Sequence, residues 1–286
     1  MDNEKYIKIR ANGKEVQIPN SWEVLTSDHY LKLINYLLRM GHGELSPAEV
    51  RIYFLCDIMG WDVHKIRRDD AMENLIAISE QLTFIFRRVE DDIKVDLCFC
   101  KQQLPIVFVD KKPYKGYEVQ VDYNTLTCSL RALQYIEARQ LLDMGEESLP
   151  LLAAILYYPG EYSSEGAQKL ARQFAHLPAT TLQAIALNFE AVNNFIFLKT
   201  EFSLLTKFKP QSGKQITTDA TDALYDLSKD GLGNVMQVER MNVLTYLRIL
   251  RKKTIEGARS LKASGMDIVK ISTEMGLPIE VVRQIV

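Results

Sequence analysis

The sequence predicts an α+β protein that is predominantly α-helical. Two observations carry that prediction. Most of the chain repeats apolar residues at helical spacing behind Ser, Thr, Asp or Asn caps. Two stretches, residues 5–19 and about 90–125, instead alternate or run β-branched between charged and Pro/Gly punctuation.

The elements follow in order. "KYIKIRANGKEVQIP" alternates on both sides of Asn12-Gly13, a hairpin signal with a type I′ turn, because both residues tolerate positive φ. A helix then starts near Asp28, capped by Thr26 or Ser27, with Leu31, Ile34 and Leu38 in its apolar stripe and Gly41 as its stop. Ser46, Pro47 and Glu49 spell a capping box for a second helix that Gly60 ends. "DDAMENLIAISEQLTFIF", residues 69–86, reads as a third, with Asp69 and Asp70 suiting the positive end of its dipole. "IKVDLCFC", "LPIVFVD" and "YEVQVDY" read as strands of a small sheet. Helices return with "SLPLLAAILYYPGEYSSEGAQKLARQFAHLP", broken at Pro159-Gly160, and with one long helix over residues 181–208. The polar segment 209–219 reads as a linker.

After it, "TYLRILRKKTIEGARSLKASG" places Leu247, Leu250, Ile255, Ala258 and Leu261 near one face. Asp267 caps a helix with Ile268, Ile271 and Met275 inward, and Gly276 ends it. Pro278 opens a last helix with Ile279, Val282 and Ile285 inward, which gives a helix-turn-helix-like end. The expected organisation is an N-terminal α+β region (1–118), a helical domain (119–208), the linker (209–219) and a C-terminal helical unit (220–286).

Composition narrows function by exclusion. The net charge of −2 is not that of a polycation shaped for nucleic acid. Cys56, Cys98, Cys100 and Cys128 include one C-x-C pair and no second pair to complete a zinc site, and free thiols suit a reducing cytoplasm. The first ten residues read as no signal peptide, and the most apolar windows fall short of the ~20 residues of a membrane span. No P-loop, dinucleotide fingerprint, nucleophile elbow or H-E-x-x-H occurs, and His29, His42, His64 and His176 lack ligand spacing. No enzyme activity, cofactor or metal is therefore expected.

Two groups of residues stand out. Tyr157, Tyr158 and Tyr162 surround the Pro-Gly turn, and tyrosine adds contact area at low entropy cost, so they are candidate protein contacts, with Trp22 as a weaker one. Residues 244–286 hold eight Lys/Arg and four Asp/Glu, +4 against −6 for the remainder, which makes Arg248, Arg251, Lys252, Lys253 and Arg283 candidate nucleic-acid contacts. Against DNA readout, the basic residues cluster on the first helix of this unit, and Glu280 stands at the N-terminus of the last, where phosphate is usually bound.

Several segments resemble proteins from the tail-assembly gene region of tailed phages and prophages of gut bacteria. They are "IPNSWEVLTSDHYLKLINYLL", "YNTLTCSLRALQYIEARQLL", "LPLLAAILYYPGEYSSEGAQKLARQFAHLP" and "NVLTYLRILRKK", together about a third of the chain. The resemblance implies a tail-assembly chaperone or minor structural component, not an enzyme. It implies contacts with other virion or tail proteins, in the cytoplasm of a bacterial host cell or in the virion. The final "GMDIVKISTEMGLPIEVVRQIV" departs from that pattern and resembles the helix-turn-helix ends of transposase-like and regulatory proteins, which implies a DNA-associated protein as the alternative.

Overall fold

The structure, a computed structural model, describes residues 5–11, 13–66, 69–205, 224, 228–229 and 233–286. These residues form eleven α-helices and eight strands, the helix-rich α+β class that the sequence predicts. The predicted linker at 209–219 lies outside the described residues.

Strands β1 (Tyr6–Ala11) and β2 (Lys14–Pro19) pair antiparallel, Tyr6 opposite Pro19, and Gly13 turns with φ +78°. Asn12 is outside the described residues. Helix α1 (Ser27–Gly41) is capped by the Thr26 hydroxyl, which accepts the His29 N–H at 3.1 Å. Its buried seam is Tyr30, Leu33, Ile34 and Leu37, so Leu31 and Leu38 flank the stripe. Helix α2 (Pro47–Met59) shows the predicted capping box at Ser46 and Glu49 and stops at Gly60, φ +65°.

Helix α3 (Asp69–Ser79) is shorter than predicted. Leu82, Phe84 and Ile85 are buried, yet the chain here is not helical. Asn20 explains part of this: its side-chain carbonyl accepts the Thr83 N–H at 3.2 Å and ties the segment to the chain leaving β2. Packing overrides the local helical pattern.

The predicted small sheet is instead three separate two-stranded ribbons: β3 (Phe86–Val89) with β4 (Asp92–Val95), β5 (Ile106–Val109) with β6 (Lys112–Lys115), and β7 (Val119–Asp122) with β8 (Thr125–Cys128). Each turns within two residues, so each strand meets its own neighbour at once. Asp110-Lys111 and Tyr123-Asn124 hold positive φ at both turn positions, the geometry that matches strand twist.

The "DLCFC" run is extended but unpaired with any strand, and it crosses the core as a strap. Helix α7 (Ala179–Lys199) bonds to this run and the residues just after it through side chains: Asn194 donates to the Leu97 carbonyl (2.9 Å), and Asn188 donates to the Lys101 carbonyl (2.8 Å) and accepts from the Gln103 N–H (2.8 Å). Buried backbone needs such partners when no strand provides them. Phe99 fills the core, and Cys98 and Cys100 lie half-buried on either side of it. Burial pushes the Cys100 thiol up to about 12.

Helices α4 (Ala132–Leu141), α5 (Leu149–Leu156), α6 (Ser164–Phe174) and α7 complete the body. Tyr30 links α1 to α7 by donating to the Ala184 carbonyl at 2.8 Å. Helix α7 ends at Lys199, before the predicted limit, where Thr200 turns extended and a short 3-10 segment, Glu201–Leu205, follows. Helices α8 (Val235–Glu239), α9 (Val243–Ala263), α10 (Ile268–Met275) and α11 (Ile279–Ile285) end the chain.

Two cores result. The larger runs from Ile18 to Leu247 without parting at residue 118, and the smaller holds Ala258, Ile271, Leu277 and Val282. Helix α9 enters both, through Val243, Leu244, Tyr246 and Leu247 at one end and Ala258 at the other. Ile279, expected inward, is exposed, and Leu277 of the preceding turn is buried in the small core instead. Among the described residues no helix is long and apolar enough to cross a membrane.

Candidate functional site

A cleft of about 920 Å³ opens where the β6–β7 connection, α4, the α5–α6 turn and α8 meet. A shallower hollow of about 530 Å³ continues from it across Pro113 and Tyr114, sharing Lys115, Gly116, Ser129, Tyr158 and Gly160.

The α5–α6 turn forms one wall. Gly160 reverses the chain with φ +80°. Tyr158 and Tyr162 stack edge to face, with centroids 5.3 Å apart at 79°. Tyr158 lies over the first turn of α6 because residue 166 is glycine: a Cβ there would stand 2.0 Å from the tyrosine hydroxyl. Tyr162 donates to the Glu137 carboxylate, and Ser164 donates to the other oxygen of the same group at 2.5 Å. Burial, then the bond to Glu137, holds the Tyr162 phenol well above its ordinary pKa, so it stays protonated. Both rings are thus fixed before any ligand arrives.

Helix α4 supplies the floor. Arg131, Gln134 and Glu137 recur every three residues on a helix otherwise buried through Ala132, Tyr135, Ile136 and Ala138. Gln134 donates to the Ile155 carbonyl at 2.7 Å and locks α4 to α5, while Arg131 is exposed at the rim. The opposite rim is pinned from a distance. Ala132 N–H donates to the Met241 carbonyl (2.8 Å), Val243 N–H to the Leu130 carbonyl (3.0 Å), and the Asn242 side chain to the Cys128 carbonyl (2.6 Å). This clasp holds Met236, Glu239 and Arg240 beside the tyrosines, and Arg240 closes on Glu161 at 2.9 Å.

Two of the tyrosine-turn candidates line this cleft and one does not. Tyr157 is 1% exposed: its hydroxyl donates to the Leu104 carbonyl and its ring lies against Gly116, where a Cβ would come within 2.9 Å of it. It is an anchor beneath the cleft, not a contact residue. Trp22 is likewise corrected. It is 4% exposed, stacks on Phe99 at 5.1 Å and donates its indole N–H to the Asp96 carbonyl at 2.8 Å. A tryptophan whose one polar group is satisfied inside has no outward role to play.

Four of the five basic candidates pair with neighbouring carboxylates. Arg248 and Arg251 both reach Glu201 (3.5 and 3.6 Å), and Arg251 also donates to the Glu201 carbonyl oxygen at 3.0 Å. Lys252 pairs with Glu256 (3.7 Å) and Arg283 with Glu280 (3.0 Å). Lys253 also has an interaction partner. Arg248 and Arg251 thus clamp α9 to the segment after α7.

Sequence reasoning missed Glu137, Arg131 and Arg240. A signal existed for the first two: the polar row 131/134/137 on a buried helix. None existed for Arg240, which reaches the cleft through contacts more than a hundred residues apart in sequence. Among the described residues no three His, Cys, Asp or Glu gather as metal ligands. Comparison of the chain with family models, with curated proteins and with solved structures finds no match.

Proposed function

We propose that this chain is a non-enzymatic binding protein that holds a segment of a partner protein in the Tyr158–Tyr162 cleft. One observation carries the reading: two tyrosines, fixed by Gly166 and Glu137, stand partly exposed in the wall of a cleft large enough for several side chains. Rigid aromatics beside adaptable polar groups favour protein recognition, because little side-chain entropy remains to be lost on binding. The polar atoms of the wall are bonded to one another (Tyr162 and Ser164 to Glu137, Arg240 to Glu161), an arrangement that suits holding rather than proton transfer. The setting, assembly of a phage or prophage tail or virion, rests on the sequence resemblance, and the partner would then be another tail or virion protein.

The test is co-expression with the proteins encoded beside this one, comparing the wild type with Tyr158→Ala and Arg131→Glu. A neighbour captured by the wild type and lost by both variants at unchanged thermal midpoint supports the reading. Capture that both variants retain counts against the cleft.

A further inference from the structure

Strand β5 differs from every other described strand. All four of its residues are apolar, Ile106-Val107-Phe108-Val109. Val107 and Val109 are buried, while Ile106 and Phe108 are 52% and 64% exposed. The other ribbons also expose apolar residues, Ile93 on β4 and Val121 on β7, but there charge stands beside them: Arg87, Arg88, Asp92 and Lys94 in the β3–β4 ribbon and Asp122 on β7, as Lys8 and Arg10 do on β1. Charged outward residues are how proteins keep open strand edges from pairing. β5 has none.

The hydrogen-bond parity of the ribbon shows which way its edge faces. A two-residue turn at Asp110-Lys111 makes Val109 and Lys112 a bonded pair, and bonded and non-bonded pairs then alternate. Val107 with Tyr114 is bonded; Phe108 with Pro113 and Ile106 with Lys115 are not. Two facts agree with this parity. Gly116 N–H donates to the Pro105 carbonyl at 2.9 Å, the next bonded pair, and Pro113, which has no N–H, sits where none is needed. The N–H and C=O groups of Ile106 and Phe108 therefore point away from β6, and no other described segment bonds to them. The far edge of β6 is blunted by Pro113, flanked by Lys112 and Lys115.

We infer that the β5 edge is a self-association surface whose occupant is β5 of a second copy of this chain, running antiparallel about a two-fold axis at Val107. The two outward residues are symmetric about that position. Ile106 of each copy therefore lies opposite Phe108 of the other, in bonded pairs that close four main-chain hydrogen bonds. Each exposed aromatic meets a β-branched neighbour, a favourable cross-strand pair. Two ribbons become a four-stranded sheet, which is more stable than an isolated hairpin. Self-pairing supplies matching apolar side chains at both positions by symmetry alone. The contact is small beside the roughly 1,600 Å² of a standard interface, so the dimer is weak and concentration-dependent. The inference is independent of the cleft.

The experiment is sedimentation equilibrium of the full chain from about 5 to 500 µM, with amide exchange of residues 105–109 across the same range. The expected result is a mass that rises with concentration, with exchange slowing at Ile106 and Phe108 but not at Val107 and Val109. Phe108→Lys and Ile106→Lys, at exposed positions, should each weaken association at least about tenfold without moving the thermal midpoint. A monomer throughout, a dimer that survives both lysine variants, or unchanged exchange at Ile106 and Phe108 would overturn it. So would a monomer whose β5 edge pairs only with a strand of another protein.

Discussion

The body and the C-terminal unit bury their apolar residues in different ways. In the body, contacts are distant in sequence: Tyr30 bonds to Ala184, Trp22 to Asp96, and Asn188 to Lys101. Around the small core every buried residue lies within about thirty positions of the others, and each turn is set by its own residues: the Asp267 cap, Gly276 at φ +62°, and Pro278 before α11. Long-range packing can override local preference, whereas a small local unit must agree with it throughout.

Predictions can break or sharpen this contrast. The largest effect should come from Trp22→Ala, which removes a ring packed on Tyr30, Phe84 and Phe99 and should cost about 3–5 kcal/mol in urea denaturation of the body. A cost below about 1 kcal/mol would mean that the ring is not a core element. Val282→Asp should come next. It places a charge in a core of four buried residues and should melt α10 and α11, while the near-ultraviolet signal of the body stays. If the whole chain unfolds instead, the two cores are not separable.

Alkaline pH should weaken the body and spare the small core. Burial raises the Cys56, Cys100 and Cys128 thiols from 9.0 to about 11, 12 and 11, and all three lie in the larger core. The unfolded chain loses these protons first, so the stability is intact below pH 9 and falls as pH rises toward 12. Denaturation midpoints at pH 8 and pH 10.5, with a cysteine-to-serine control, would show it. The smallest effect should be Arg240→Ala. Its pair with Glu161 is exposed, so the loss should be under about 1 kcal/mol, below the cost of cutting the Asn242 clasp by Asn242→Ala in the same thermal scan.

The same contrast explains what the sequence revealed. Caps, Gly stops and Pro starts located α1, α2, α10 and α11, because those signals act over three or four residues. The third helix was overextended because Leu82, Phe84 and Ile85 are as apolar as a helix would require, and only Asn20, sixty residues earlier, shows why they are not one. The tyrosine turn was legible as a motif. Which tyrosine faces out was not, since that depends on Gly116 beneath Tyr157 and Gly166 beneath Tyr158. The basic residues were legible as charge, but their pairing with Glu201 became visible only once α9 was folded back on α7.

Helix α9 also has a mechanical consequence. Its 21 residues make a rod of about 31 Å, anchored at one end in the large core and clamped at Arg248 and Arg251 by Glu201. A tension applied at the C-terminus would be carried through the small core to the clamp, and α10 and α11, held by only four buried residues, would give way first. The first step of such an extension would release the chain beyond Ala258 and leave the body with its cleft intact.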